Sequence, residues 1–218
     1  MDITEKYRPK SFADLVGQEK AVKRLEHIGR DGYGGKSIWI AGPSGCGKTT
    51  SARIIAERHC QGVGSIVEYV SADKFQQSDM DDLLEKTRSR SFIPLAYIIN
   101  EAHGLSARIV RQLLGVLEGL PSWICVIFTT TIDGEESLFE GTTEKELTPW
   151  FRRVSKVQLT RRLETGSLTE VYAQEVMRIA RIEGLDGGKD LAEFKKLVTK
   201  ADNSIGYALK LVDDGILL

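Results

Sequence analysis

The stretch that most constrains this chain runs from Ser37 to Ala56. Ser37-Ile38-Trp39-Ile40-Ala41 reads as a buried strand. Gly42-Pro43-Ser44-Gly45-Cys46-Gly47-Lys48-Thr49-Thr50 follows, and a helical pattern then carries Ala52, Ile54, Ile55 and Ala56. Strand, glycine-rich loop and helix, with the spacing G-x-x-x-x-G-K-[ST], make a phosphate cradle. Gly42, Gly45 and Gly47 let successive N–H groups turn inward at an anion, and the new helix adds its positive end. Lys48 supplies a point charge to β- and γ-phosphates, and the Thr49 hydroxyl is placed to ligate Mg²⁺. The competing reading is a glycine-rich turn that binds nothing. The full motif in its strand-to-helix context argues against it.

Around this unit, strands alternate with helices. Gln18 to Arg30 predicts a helix with Ala21, Val22, Leu25 and Ile28 on one face. Residues 1–17 read as an irregular polar lead-in broken by Pro9 and Gly17. Ile66–Val70 predicts a second strand, and a helix begins near Ser78. Leu95–Ile99 is a continuous apolar run, as for a strand covered on both faces. A helix from Ser106 to Glu118 stops at Gly119 and Pro121, and Trp123–Phe128 is a fourth strand, ending in Thr129–Thr131. Val157-Gln158-Leu159 reads as a short last strand. This alternation predicts a parallel α/β sheet with its chemistry at the carboxyl ends of the strands. The cradle, Asn100-Glu101 and Thr129–Thr131 all fall there. From Ser167 onward, three helical patterns form a small accessory domain. The expected division is 1–159 and 160–218.

Residues 133–146 hold six acidic side chains against Lys145 and read as an acidic, mobile surface loop. Lys86, Arg88 and Arg90 read as a solvated helix end with favourable dipole charge. The whole chain of 218 residues has a net charge of −1, so any nucleic-acid contact must come from a local patch. Three dispersed cysteines without a C-x-x-C pair indicate neither a disulfide framework nor a zinc module. Cys46 reads simply as a loop residue. Without a signal-peptide pattern or a membrane-length apolar run, the expected compartment is the cytoplasm.

Together these residues resemble the AAA+ ATPases, most closely the clamp-loader group of replication factor C small subunits and bacterial clamp-loader motor subunits. Tyr7-Arg8-Pro9-Lys10-Ser11-Phe12 and Val16-Gly17-Gln18 resemble that group's N-terminal signature. Asn100-Glu101-Ala102-His103 stands where the family has Asp-Glu-Ala-Asp or Asp-Glu-Ala-His. Thr131 falls at the sensor-1 position, and Pro149-Trp150-Phe151-Arg152-Arg153 resembles the arginine-finger stretch with Arg153 on the arginine. Ala201 to Leu211 resembles the sensor-2 segment, with Gly206 where arginine is usual. The resemblance implies a five-stranded parallel sheet sandwiched by helices, then a three-helix lid, with ATP between them. Tyr7, Pro9 and Val16 would lie near the adenine, with Ile205 covering it. Nucleotide contacts would also come from Gly42, Ser44, Gly45, Cys46, Gly47, Lys48, Thr49 and Thr50.

The implied activity is attack of water on the γ-phosphate. Glu101 would polarise the water and Thr131 orient it, while Lys48 and Mg²⁺ stabilise charge. Arg153 would act in trans on a sibling subunit's nucleotide, and its competing reading is a basic strand edge. Thr131 is equally a strand-end threonine. Asn100 brings no negative charge, so Mg²⁺ held through its water should be held less well. Arg108 and Arg111 are the candidate DNA contacts, although two arginines on a solvated helix face are ordinary. The expected partners are ATP or ADP, sibling AAA+ subunits, a sliding clamp and primer-template DNA, with no membrane. The family's C-terminal collar domain is not in the sequence, so a stable isolated pentamer is not expected. Two other readings stay open. One is another AAA+ remodeller, such as a helicase loader or Holliday-junction motor. The other is a weakly hydrolysing ATP-binding switch or scaffold.

Overall fold

A computed structural model describes residues 2–131, 150, 152–160, 162–163 and 166–217, with only the backbone at 162–163 and 166–167. The acidic stretch 133–146, Pro149 and Phe151 lie outside the described residues. Five parallel strands form the sheet: β1 (Lys36–Ala41), β2 (Ser65–Tyr69), β3 (Leu95–Ile99), β4 (Ile124–Thr130) and β5 (Ser155–Gln158). Their spatial order is β2-β3-β4-β1-β5, so β1 lies between β4 and β5. Every residue of β4 and all but the first of β1 is buried. Both faces are covered, so these strands read as unbroken apolar runs rather than alternating ones.

The period-two alternation appears instead in which core each residue joins. Ile38, Ile40, Ala96, Ile98, Cys125, Ile127 and Val157 face a core closed by α2 (Glu19–Ile28) and α3 (Lys48–Cys60). Trp39, Ala41, Tyr97, Ile99, Val126 and Phe128 face the other core, closed by α4 (Gln77–Arg88) and α5 (Ala107–Leu117). Trp39 packs edge-on against Trp150 at 5.6 Å, which seats the segment leading to Arg153.

A third core joins α6 (Thr169–Glu183), α7 (Leu191–Lys200) and α8 (Ile205–Asp213). The chain's beginning belongs to it. The lead-in contains a short helix, α1 (Ile3–Lys6), and a 3-10 turn at Phe12–Asp14. Ile3 is buried in the helical core, and Tyr7 and Val16 pack against it. The Tyr7 hydroxyl and the Lys6 ammonium both donate to the Glu183 carboxylate at the end of α6. Buried Gln18 donates to the Thr160 carbonyl at 2.7 Å and accepts from the Thr160 N–H at 3.1 Å. It also reaches the Tyr172 hydroxyl at 3.2 Å. A lead-in without apolar periodicity is ordered by tertiary contacts. A two-stranded antiparallel ladder, β6 (Arg162–Leu163) with β7 (Gly166–Ser167), connects β5 to α6.

Candidate nucleotide-binding site

The loop after β1 turns under the first residues of α3. Gly47 has φ +97°, a left-handed conformation that side-chain-bearing residues resist, and it starts α3 with its amide end facing the loop. Gly45 has φ +74°, and a Cβ there would lie 2.4 Å from Ser204 Oγ. Ser204 caps α8 by accepting from the Tyr207 N–H, so the first turn of α8 rests on the apex of the loop. Lys48 is buried, and its Nζ donates to the Gly42 and Pro43 carbonyls at 3.0 and 2.9 Å. The ammonium is thereby stretched back along the loop, where a phosphate's charged oxygens make stronger acceptors than peptide carbonyls. Cys46 lies in the loop, as read from the sequence, with its side chain buried in the core closed by α2 and α3. The Thr50 hydroxyl accepts from Arg8 Nη1 at 3.1 Å.

Asn100 follows β3 and is 4% exposed. Its Oδ1 accepts from the Thr49 hydroxyl at 3.0 Å and from the Thr129 hydroxyl at 2.9 Å. Its Nδ2 donates to Glu68 Oε1 at 3.0 Å and to the Tyr69 carbonyl at 3.1 Å. The amide orientation follows from these partners, because the reverse would set the Asn100 oxygen against a carboxylate and a carbonyl. Both lone pairs of Oδ1 are therefore engaged. The expectation of an Asn100 grip on Mg²⁺ through water meets an oxygen already saturated by protein hydroxyls. What Asn100 does here is accept the Thr49 hydroxyl's hydrogen bond, which leaves the Thr49 lone pairs to face a cation. That donor suits Mg²⁺, which keeps several waters and takes few protein oxygens beside nucleotide phosphates. Among the described residues there is no group of three His, Cys, Asp or Glu able to hold a metal unaided.

Glu101 adopts φ +51°, ψ +49° and caps a 3-10 turn at Ala102–Gly104. A left-handed glutamate costs roughly 1–2 kcal/mol. Glu101 lines the same cavity as Lys48 and Thr49. His103 Nδ1 lies 3.5 Å from Glu101 Oε2 and 3.2 Å from Thr130 Oγ1, so His103 steadies the acid and the strand end.

One cavity of about 750 Å³ gathers these groups. Ser44 to Thr50 and Glu101 line it at the sheet, Tyr7, Pro9 and Val16 at the lead-in, and Ile205 and Gly206 at α8. Its basic lining residues are Lys6, Arg8, Lys10, Lys48 and Arg178; Lys6, Arg8 and Arg178 pair with Glu183, Glu5 and Glu175, whereas Lys48 is held by peptide carbonyls and offers its charge to a phosphate. Arg8, Gln18, Glu68, Arg178 and Ser204 were not singled out from sequence as site residues. Arg8 and Gln18 lie within the N-terminal signature and Ser204 within the sensor-2 segment, and Glu68 leaves a signal of its own, an acid within an otherwise apolar strand.

Of the other expected residues, Thr131 lies beside the loop and the arginines lie apart. Thr131 follows β4 immediately, opposite Gly42 by continuation of the register. Arg153 precedes β5, whose Ser155 pairs with Ile38, so it sits near the start of β1. That is roughly 20 Å from the chain's own phosphate loop at about 3.3 Å per residue. Its guanidinium donates to Glu118 at 2.7 Å. Arg108 and Arg111 are exposed on α5.

The fold and the cavity define an α/β nucleotide-binding protein of the phosphate-loop class. Residues 38–148 match the ATPase family associated with various cellular activities (AAA), and the chain belongs to that family. It is 30% identical over 156 residues to the DNA polymerase III subunit gamma/tau of Mycobacterium bovis, covering 60% of this chain and 27% of that protein. It is 40% identical over 81 residues to the replication factor C small subunit of Thermococcus kodakarensis, covering 36% of this chain and 9% of that protein. The chain thus spans about a quarter of the length of the polymerase subunits it matches. In structure it is similar to the Thermotoga maritima RuvB Holliday junction branch migration motor. The TM-score is 0.67 at 19% identity, covering 95% of this chain and 64% of that one, a likeness of fold.

Proposed function

We propose that the chain binds and hydrolyses ATP as an AAA+ motor subunit of a DNA sliding-clamp loader. The observation carrying the ATPase reading is the convergence of Lys48, Thr49 and the strained Glu101 on one basic-lined cavity. ATP would place its phosphates against the loop amides and Lys48, with its base toward Tyr7, Pro9, Val16 and Ile205. Mg²⁺ at Thr49 would supply positive charge across the β- and γ-phosphates. Glu101 holds and polarises the attacking water, Thr131 orients it, and the loop amides stabilise charge on the transferring group. Arg153 is too far from its own loop to act there, which supports a role at a sibling's nucleotide once it leaves Glu118.

The clamp-loader assignment rests on the N-terminal signature and on the relatives. Arg108 and Arg111 on exposed α5 are the proposed contacts to the DNA backbone. The test is ATP turnover with and without a ring clamp plus primer-template DNA. Stimulation by both together supports the assignment, and stimulation only by a helicase or a junction redirects it. A second reading, a weakly hydrolysing switch, is favoured by the neutral Asn100 beside Thr49. Tight ATP binding without turnover under every condition would select it.

A further inference from the structure

We propose that Glu68 on β2 is a positioning residue for the cation end of the site, acting through Asn100; this rests on the nucleotide reading above. The Glu68 carboxylate uses both oxygens. Oε1 accepts from Asn100 Nδ2 at 3.0 Å, and Oε2 accepts from Arg53 Nε at 2.8 Å. The Glu68 side chain is only 22% exposed, so its charge is weakly screened. The relay runs from Glu68 to the Asn100 amide and from the Asn100 oxygen to the Thr49 proton. Each link has one permitted direction. Glu68, with the Tyr69 carbonyl beside it, fixes which way the amide faces, the amide orients the Thr49 hydroxyl, and the oriented hydroxyl presents its lone pairs to the cation.

In this arrangement the negative charge sits on β2 rather than after β3, one hydrogen bond from the residue that contacts Thr49. Asn100 is then not a defect that aspartate repairs. With Glu68 in place, Asn100→Asp sets two carboxylates about 3.0 Å apart, where an amide proton now lies between them. One carboxyl must then take a proton or turn away.

Glu68→Gln makes the sign of the effect depend on residue 100. The introduced glutamine has one acceptor and one donor where Glu68 uses two acceptors. Charged Arg53 makes the stronger claim on the acceptor, so the donor faces residue 100. Against Asn100 that sets donor on donor, whereas against an introduced aspartate it restores a bond.

The experiment uses the full chain and a fluorescent ATP analogue. It measures analogue affinity in EDTA, the Mg²⁺ concentration giving half of the Mg²⁺-dependent change, and the melting temperature. The variants are E68Q, N100D, E68Q/N100D and R53A. E68Q alone should raise the Mg²⁺ midpoint about tenfold, the usual scale for losing a group that orients a ligand. E68Q added to N100D should lower the midpoint relative to N100D. R53A keeps the Glu68–Asn100 bond and should leave the midpoint in place. A shift of the same sign in both backgrounds overturns the proposal, as does a midpoint that follows melting temperature or moves equally in R53A. If the unaltered chain binds no analogue even with Mg²⁺, the nucleotide reading itself fails. If it binds while E68Q leaves the midpoint unmoved, only the role of Glu68 fails.

Discussion

Replacing Gly45 by alanine probes how the helical unit and the phosphate loop hold each other. Two costs are separable. The left-handed backbone at φ +74° charges any Cβ about 1–2 kcal/mol. The new methyl would also lie 2.4 Å from Ser204 Oγ and 2.7 Å from Ser204 Cβ, inside contact distance. Ser204 must then withdraw, and losing its cap on α8 costs about 1 kcal/mol. The expected destabilisation of G45A is about 2–3 kcal/mol. Gly47 is the internal control: its φ is +97°, but the nearest atom to an added Cβ is Leu15 Cδ2 at 3.7 Å. G47A should therefore show the backbone cost alone, about 1–2 kcal/mol. The assay is denaturant unfolding of nucleotide-free protein for G45A, G47A, S204G and G45A/S204G. The double variant should lose less than the sum of its two parents, because S204G removes the obstacle. Equal losses for G45A and G47A with additive G45A/S204G would show that α8 does not rest on the loop in solution.

Two further outcomes follow from the site and a third from the core. Glu101→Gln should reduce ATP turnover about 10²–10⁴-fold with nucleotide affinity retained, while Glu101→Gly should abolish turnover yet raise stability by about 1 kcal/mol by relieving the left-handed glutamate. Unfolding and turnover measured on the same preparations would show whether strain and catalysis share this residue. Arg153→Ala should leave ATP binding unchanged and slow turnover only at protein concentrations where subunits associate, which a turnover titration against concentration reads directly. His59 is buried against the Trp123 carbonyl, and desolvation holds its pKa below the ordinary histidine value. The unfolded chain therefore binds the proton more readily. The stability contributed by neutral His59 is complete above about pH 6.5 and is lost as pH falls through the folded pKa. His59→Gln should flatten the melting-temperature profile across that window, and an unchanged profile would show that His59 does not titrate on unfolding.

Much of this was legible in the residues. Leu95–Ile99 occupies the strand read from its apolar run, and the helices after Gly47 and Ser106 start within a residue of their sequence signals. The fourth strand runs Ile124–Thr130 and ends in the threonines read at its close, where Thr129 and Thr130 are fully buried inside the sheet. The lead-in was least legible. Tyr7, Val16 and Gln18 carry no periodicity, and their order comes from Glu183, Thr160 and Tyr172 more than a hundred residues away.

The sequence by itself determined the α/β alternation, the phosphate loop and the identity of the groups placed beside it. Those depend on local spacing, which sets which backbone angles and which face each residue takes. Only the tertiary structure decided what Asn100 does. From the chain it is an acid replaced by an amide. In the fold it is the middle of a relay from Glu68 to Thr49, because the parallel register of β2 on β3 brings an acid 32 residues earlier within one hydrogen bond.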